Sequence, residues 1–280
     1  MKYVALLLAL IVVACQSAPG IGVAPTEDSA RPMEVIETPV VTLAPLESLP
    51  TGPISMVAIG DSLTEGDTDE TGLGYTGRVL DAVIQRHPDS TMVNLGKSGW
   101  NSDALINGDQ GLDGQLSRAV NEVQAAVSRG RSAVVFVWIG SNDLWYLYEY
   151  GGDVTDEQEQ QDLEHFSSNM DVILSQLRGA GAQVLVALLD DQAKRPIALR
   201  GEAFLEITPG ELARMSLQAQ RYNNAIIERA ALHGALPVDF YNTDIFTNAD
   251  LLYYDGNHPN TAGYERIAEI WLDSLETLLP

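Results

Sequence analysis

Cysteine is almost missing from this sequence: Cys15 is the single one in 280 residues. An internal disulfide is therefore excluded, and so is a metal site built from several thiolates. Basic residues are scarce as well. Sixteen Lys and Arg face thirty-nine Asp and Glu, a formal net charge of −23. A surface of that sign repels phosphodiester backbones, which argues against nucleic acid as a partner and leaves solubility or a saline habitat as the plain reading. The four histidines (His87, His165, His233 and His258) fall at no metal-ligand spacing, and no internal repeat is visible. Nothing in the sequence asks for a metal or another cofactor. A long apolar run is missing too: the longest, Tyr3 to Ala14, is too short for a stable membrane-spanning helix.

What that run does suit is the apolar region of a secretory signal, with Lys2 before it. It ends Val12-Val13-Ala14-Cys15, which resembles the lipobox of bacterial lipoproteins. The resemblance implies a signal peptide over 1–14, cleavage before Cys15 and acylation of that residue. The protein is then expected to be extracytoplasmic, held at a membrane of the bacterial envelope only through lipidated Cys15. From 15 to 53 the composition turns to Pro, Ser, Thr and Glu, with prolines at 19, 25, 32, 39, 45, 50 and 53. Such a segment buries too little surface to offset its chain entropy and is expected to be a disordered tether.

From Ile54 to Pro280 the pattern alternates. Short apolar runs predict strands over Ile54–Ile59, Met92–Leu95, Ala133–Ile139, Gln183–Leu189 and Leu236–Tyr241. Between and after them, helices are predicted over Tyr75–His87, Asp113–Arg129, Gln158–Arg178, Glu211–His233 and Ala262–Leu278, several closed by Gly or Pro. This alternation predicts one α/β domain over 54–280, a parallel sheet with helices on both faces.

Ligands of open α/β sheets bind at the carboxyl ends of the strands, and the distinctive polar residues cluster there. The first strand runs into Gly60-Asp61-Ser62-Leu63-Thr64, the second into Gly96-Lys97-Ser98-Gly99-Trp100-Asn101-Ser102, and the third into Gly140-Ser141-Asn142-Asp143. Just before the last helix stands Asp255-Gly256-Asn257-His258-Pro259. Ester hydrolysis needs a nucleophile, a base, a group that orients the base, and donors for an oxyanion. Ser62 is a candidate nucleophile. Asp255 and His258 are three apart, close enough for a carboxylate to bond the imidazole. Gly99 lets a backbone N–H approach a ligand, with Gly96 as the alternative glycine, and Asn142 offers a side-chain N–H. Taken singly, Ser62 reads equally as a helix cap and Asn142 as a turn residue.

Together and in this order, the four loops resemble the blocks of the SGNH, or GDSL, hydrolase family. The resemblance covers the domain from Ile54 onward. It implies a three-layer α/β/α sandwich with a five-stranded, parallel, flavodoxin-like sheet, and a serine esterase working through an acyl-enzyme. By the same resemblance Ser62 attacks, His258 is the general base, Asp255 orients it, and the oxyanion hole comprises the N–H groups of Ser62 and Gly99 with the Asn142 side chain.

Asp61 and Asp143 are expected to bond loop backbone, His87 and His233 to favour helix carboxyl ends, and His165 to be solvated. Gly72-Leu73-Gly74-Tyr75-Thr76-Gly77 satisfies G-x-G-x-x-G, but the acidic loop Glu65 to Thr71 separates it from its strand, against a dinucleotide site. That loop's acids do not complete a calcium loop, because Arg78 stands at the twelfth position. Leu144–Asp162 is expected to be a long insertion near the site. Trp100, Trp145, Tyr146 and Tyr254 fall close to the blocks and are expected to rim the pocket. Flat rings suit short acyl groups on a sugar or aryl alcohol, with small-molecule or glycan esters as substrates; lysophospholipase, lipase-like or thioesterase activity and a non-catalytic binding domain are the alternatives.

Overall fold

The structure is a computed structural model that describes residues 48–149, 154–201 and 207–279. The signal, lipidation and most of the tether readings, Cys15 among them, lie outside the described residues. Near its beginning Leu49 is buried, and its N–H donates to the Leu278 carbonyl. The folded domain thus takes in Leu49, earlier than the expected boundary at Ile54. Pro45, Pro50 and Pro53 interrupt the segment around Leu49, so its apolar spacing predicts neither a helix nor a strand there.

Five strands form one sheet: β1 (Ile54–Gly60), β2 (Thr91–Asn94), β3 (Ser132–Trp138), β4 (Gln183–Leu188) and β5 (Leu236–Asp239). All pairings are parallel, in the order β2-β1-β3-β4-β5. This is the flavodoxin-like order expected of the fold, with the chain turning in opposite directions after β1 and after β3. The central strands β1 and β3 are almost wholly buried, which is why they read as unbroken apolar runs, whereas edge strands β2 and β5 are half open.

Helices α1 (Ser62–Glu65) and α2 (Gly74–Arg86) follow β1; α3 (Ser102–Asn107) and α4 (Gln115–Ser128) follow β2; α5 (Ser141–Glu149) and α6 (Asp156–Gly179) follow β3. After β4 come α7 (Pro196–Arg200) and α8 (Pro209–His233), and after β5 comes α9 (Thr261–Glu276). Helix α2 packs with α9 on one face of the sheet, and α4, α6 and α8 pack in sequence on the other. The result is the three-layer sandwich. Helices α6 and α8 begin two residues before their predicted starts because of capping boxes, Thr155 with Gln158 and Thr208 with Glu211, the second with Pro209 in the first turn.

The expected insertion over Leu144–Asp162 is in large part helical, since α5 and the start of α6 occupy both its ends. Leu144, Trp145 and Tyr148 form a buried stripe on α5 at helical spacing, a period too short to be read among the polar and aromatic residues around it. Beneath the carboxyl ends of the strands lies an aromatic cluster. Trp138 stacks on Phe240 at 4.2 Å between centroids, and Trp271 sits edge-on to both Phe136 and Trp138 at 5.2 and 6.0 Å. The site is built directly on this floor, because Trp138 pairs with Gly60 at the end of β1.

Candidate active site

Ser62 opens α1 immediately beyond β1. It is not the helix cap. That role falls to Asp61, whose Oδ1 accepts the Leu63 N–H at 3.0 Å. Gly60 before it is pinned by a side chain acting as a strand partner: Gln115 Oε1 accepts the Gly60 N–H at 2.7 Å and Gln115 Nε2 donates to its carbonyl at 2.8 Å. A Cβ on Gly60 would collide with the Trp138 carbonyl and Thr64 Oγ1, so the turn toward Ser62 requires glycine on steric grounds alone.

The Ser62 hydroxyl lies 3.0 Å from Nε2 of His258, across 196 positions of sequence. The other ring nitrogen, Nδ1, is 2.7 Å from Asp255 Oδ2. Asp255 Oδ1 accepts the backbone N–H groups of Asn257 and His258 at 2.9 and 3.0 Å. Partial burial pushes the Asp255 carboxyl up, but the bonds from the His258 ring and the two N–H groups outweigh it and hold the carboxyl below its ordinary range. An ionised carboxylate on Nδ1 leaves Nε2 as the nitrogen able to take a proton from Ser62. Hydroxyl, imidazole and carboxylate are thus in line at the spacing that nucleophilic acyl transfer uses.

The donors come from the loops after β2 and β3. Among the described residues neither the Ser62 N–H nor the Gly99 N–H has a hydrogen-bond acceptor within the protein. Of the two candidate glycines, Gly96 is packed against the α1 backbone, where a Cβ would lie 2.6 Å from Thr64 C, while a Cβ on Gly99 would meet nothing closer than Tyr146 Oη at 3.7 Å. Gly99 is therefore the open one. Asn142 Nδ2 donates to the Trp100 carbonyl at 2.8 Å. An amide nitrogen carries two N–H groups, so this bond fixes the side chain and leaves a second donor. Tyr146, one helical turn further along α5, donates its hydroxyl to the Gly99 carbonyl at 2.7 Å. Residues four apart on one face thus grip two successive carbonyls of the Gly99 loop.

Asp143 accepts both the N–H and the hydroxyl of Ser102, tying α5 to α3, as its backbone-bonding reading expects. Burial, opposed by the bonds from Ser102, pushes its carboxyl up to about 7. Asp61 is also fully buried, and burial raises it to about 6 against the Leu63 N–H and the charges of Arg195 and His258. His165 is exposed, as expected of a solvated residue, and its Nε2 lies 2.8 Å from Asp103 Oδ2, a surface bond that raises its affinity for a proton.

The acidic loop after α1 has a structural use that its composition concealed. Thr68 donates to the Pro259 carbonyl at 2.7 Å, next to His258. Asp69 accepts the Gly74 N–H at 2.8 Å, pairs with Arg78 at 2.5 Å and accepts Thr261 Oγ1 at 3.0 Å. The amino end of α2, where G-x-G-x-x-G would place a pyrophosphate, already carries this carboxylate.

Two of the four expected rim residues are corrected by burial. Trp100 and Trp145 are only 3% and 4% exposed. Trp145 belongs to the inner stripe of α5. Trp100 lines a cavity of ≈ 350 Å³ with Leu95, Leu112 and Gln115, a set that includes neither Ser62 nor His258. Tyr146 and Tyr254 are exposed, at 37% and 80%, and Tyr254 is joined by Tyr253 with ring centroids 4.2 Å apart.

Residues 58–266 match the GDSL-like lipase/acylhydrolase family. A multidomain esterase of Ruminococcus flavefaciens is 24% identical over 258 residues, which cover 84% of this chain and 30% of that protein. The chain spans less than half the length of the curated relatives it matches. Among solved structures, an α/β hydrolase from the metagenome of Lake Arreo, Spain, superposes with a TM-score of 0.55 at 20% identity, covering 82% of this chain and 98% of the other. An acetyl xylan esterase does so at 0.54 and 16%, covering 79% and 99%. At such identities the structures share the fold.

Proposed function

The chain belongs to the GDSL-like lipase/acylhydrolase family, and from that premise we propose that it is a serine esterase whose catalytic residues are Ser62, His258 and Asp255. The observation that carries the reading is the unbroken line from Ser62 Oγ through His258 to Asp255, at 3.0 and 2.7 Å. Ser62 Oγ attacks the ester carbonyl carbon while His258 Nε2 takes its proton, and Asp255 stabilises the imidazolium. The tetrahedral oxyanion is met by the N–H groups of Ser62 and Gly99 and the remaining N–H of Asn142. Collapse expels the alcohol, which leaves with the proton from His258. Water then attacks the acyl-enzyme by the same route and releases the acid.

The substrate we propose is a short acyl ester, acetyl to butyryl, on a carbohydrate alcohol. Tyr146 and Tyr254, the latter packed on half-buried Tyr253, support it, as exposed flat rings with polar tips beside Gly99 and Asp255. A long acyl chain asks instead for an aliphatic trough. One structural neighbour is an acetyl xylan esterase, which agrees with this class. The test is kcat/KM across 4-nitrophenyl esters of increasing chain length and on acetylated oligosaccharides, with Ser62→Ala as control. Activity should peak at short chains and disappear, with fluorophosphonate labelling, in the Ser62 variant. A series rising to long chains, or efficient fatty-acid release from lysophospholipid, overturns the substrate class.

We propose also that Cys15 is lipidated and anchors the domain outside the cytoplasm, on the strength of Val12-Val13-Ala14-Cys15. Cys15→Ser should move active protein from the membrane fraction to the soluble one, and an unchanged membrane fraction rejects the anchor.

A further inference from the structure

Arg195 belongs to none of the four sequence blocks, yet it is 2% exposed directly behind the loop that carries His258. Its Nε and Nη2 donate to Asp190 Oδ2 and Oδ1 at 2.8 and 2.6 Å, a two-point pairing, and the guanidinium lies 4.4 Å from the Phe246 ring centroid. The remaining arm, Nη1, donates to Asn257 Oδ1 at 2.7 Å. Asn257 is the residue between Gly256 and His258.

The main chain adds to this grip. The Ile197 N–H donates to the Gly256 carbonyl at 3.1 Å. Gly256 has φ +70°, and a Cβ there would lie 2.9 Å from Pro196 Cβ, so the loop is seated directly on the start of α7. The segment from Asp190 to Ile197 therefore holds the chain between Asp255 and His258 by one side-chain and one main-chain bond. Desolvating a guanidinium is expensive, and buried ion pairs are often replaceable by apolar residues without loss of stability. An arginine fits here because it does what an apolar side chain cannot: it bonds Asp190 twice and still reaches an acceptor beside the catalytic base.

We propose that the buried Asp190–Arg195 pair is a positioning device for the acid–base loop, with Arg195 acting through Asn257 to keep His258 at hydrogen-bonding distance from Ser62. The proposal rests on the catalytic reading given above. Its physical basis is the small tolerance of that reading, since a misplacement of about 1 Å at reacting groups costs roughly a hundredfold in rate. Arg195 does not touch the reacting atoms; it sets where they stand.

The test is kcat and KM for 4-nitrophenyl acetate, with the melting temperature of each variant. Asn257→Leu deletes the acceptor at similar volume and leaves Arg195 on Asp190. Asn257→Asp keeps an acceptor oxygen. The leucine variant should lose roughly 10–100-fold in kcat with KM within about twofold and melting within a few degrees, and the aspartate variant should return to within about threefold of the parent. Arg195→Met should lose as much as Asn257→Leu, and the double variant no more than either. The proposal is overturned if Asn257→Leu keeps over half of the parental kcat, or if Asn257→Asp is as impaired as Asn257→Leu. Ser62→Ala reports separately: a tenth or more of parental activity there would sink the catalytic reading itself, whatever Asn257 does.

Discussion

Ser62 and His258 meet at 3.0 Å but reach that point by different construction. On the nucleophile side, Gly60 is still in register with Trp138, is bonded at both backbone groups by Gln115, and accepts the Lys97 N–H through its carbonyl. Ser62 then follows within two residues, at the first position of a capped turn. On the acid–base side there is no strand. The loop between Leu252 and Pro259 is closed by a single bridge between those two residues, and His258 is steadied by Asp255 and, from outside the loop, by the Arg195 segment. The first half rests on strand pairing and close packing around Gly60, the second on a loop outside the sheet, held by a few isolated main-chain bonds and by the side chains of Asp255 and Arg195. Damage to the first should therefore appear as lost folding, and damage to the second as lost turnover in a folded protein.

The largest effects come from cutting the line that joins the halves. Ser62→Ala and His258→Ala should each lower kcat by roughly 10⁴–10⁶, and the double variant should be no worse than either, because the pair acts as one unit. Steady-state kinetics on purified, folded variants decides it, and a tenth of parental activity in either single variant contradicts it. Next is the donor that spans the two neighbouring loops. Asn142→Ala should cost roughly 10²–10³ in kcat with little change in KM; a change confined to KM would make Asn142 a binding residue.

The contrast in construction is sharpened by two matched substitutions. Gly60→Ala meets backbone and a short buried side chain that cannot move aside, so a destabilisation above about 4 kcal/mol, read as loss of soluble protein, is expected. Gly256→Ala meets chiefly the short helix α7 and adds the cost of a left-handed residue, about 1–2 kcal/mol, so it should fold but turn over slowly. Equal melting temperatures for the two variants would erase the distinction.

A smaller effect is the pH dependence written into Asp61. Burial raises its folded-state pKa to about 6, above an unfolded value near 3.9. Between those values the native protein holds more protons than the unfolded chain, so stability falls as pH rises through that window. Asp61→Asn keeps the acceptor for the Leu63 N–H and removes the titration. Whatever its absolute stability, the variant should gain on the parent by on the order of 2–3 kcal/mol between about pH 4 and pH 7, measured by denaturant unfolding. Parallel stability curves would show that Asp61 does not titrate there. The smallest effect expected is that of Tyr146→Phe, which deletes one bond to the Gly99 carbonyl at the exposed side of the site and should lower kcat by about 3–10-fold.

The sheet was legible because its physics is local. Strands buried on both faces must be apolar throughout, and β1 and β3 announce themselves in that way. The four candidate loops were legible as a set, because glycine, serine, asparagine and histidine in that order at strand ends carry the family resemblance. The short helices α1, α3, α5 and α7 were not legible, because four to nine residues give a period too little length to repeat. Trp100 and Trp145 show the cost of that. Placed by proximity in sequence they border the site, but a side chain on a helix or a tight loop points where the local geometry turns it, and both are buried. Composition showed of loop 65–71 only its acidity; the bonds from Thr68 to Pro259 and from Thr261 to Asp69 join segments 191 and 192 positions apart, which no local pattern encodes.

By itself, then, the sequence determined the alternation of strands and helices along the chain, through residue type and short-range periodicity, and its four loops carried the resemblance to the family and the candidates for nucleophile, base, orienting acid and oxyanion donors. Only the tertiary structure decided that Asn142 and Tyr146 grip successive carbonyls of the Gly99 loop, and that Arg195, 63 positions before His258, is bonded to the residue beside it. Those contacts join segments distant in the chain, and no local pattern of hydrophobicity, charge or spacing encodes a distance across a folded core.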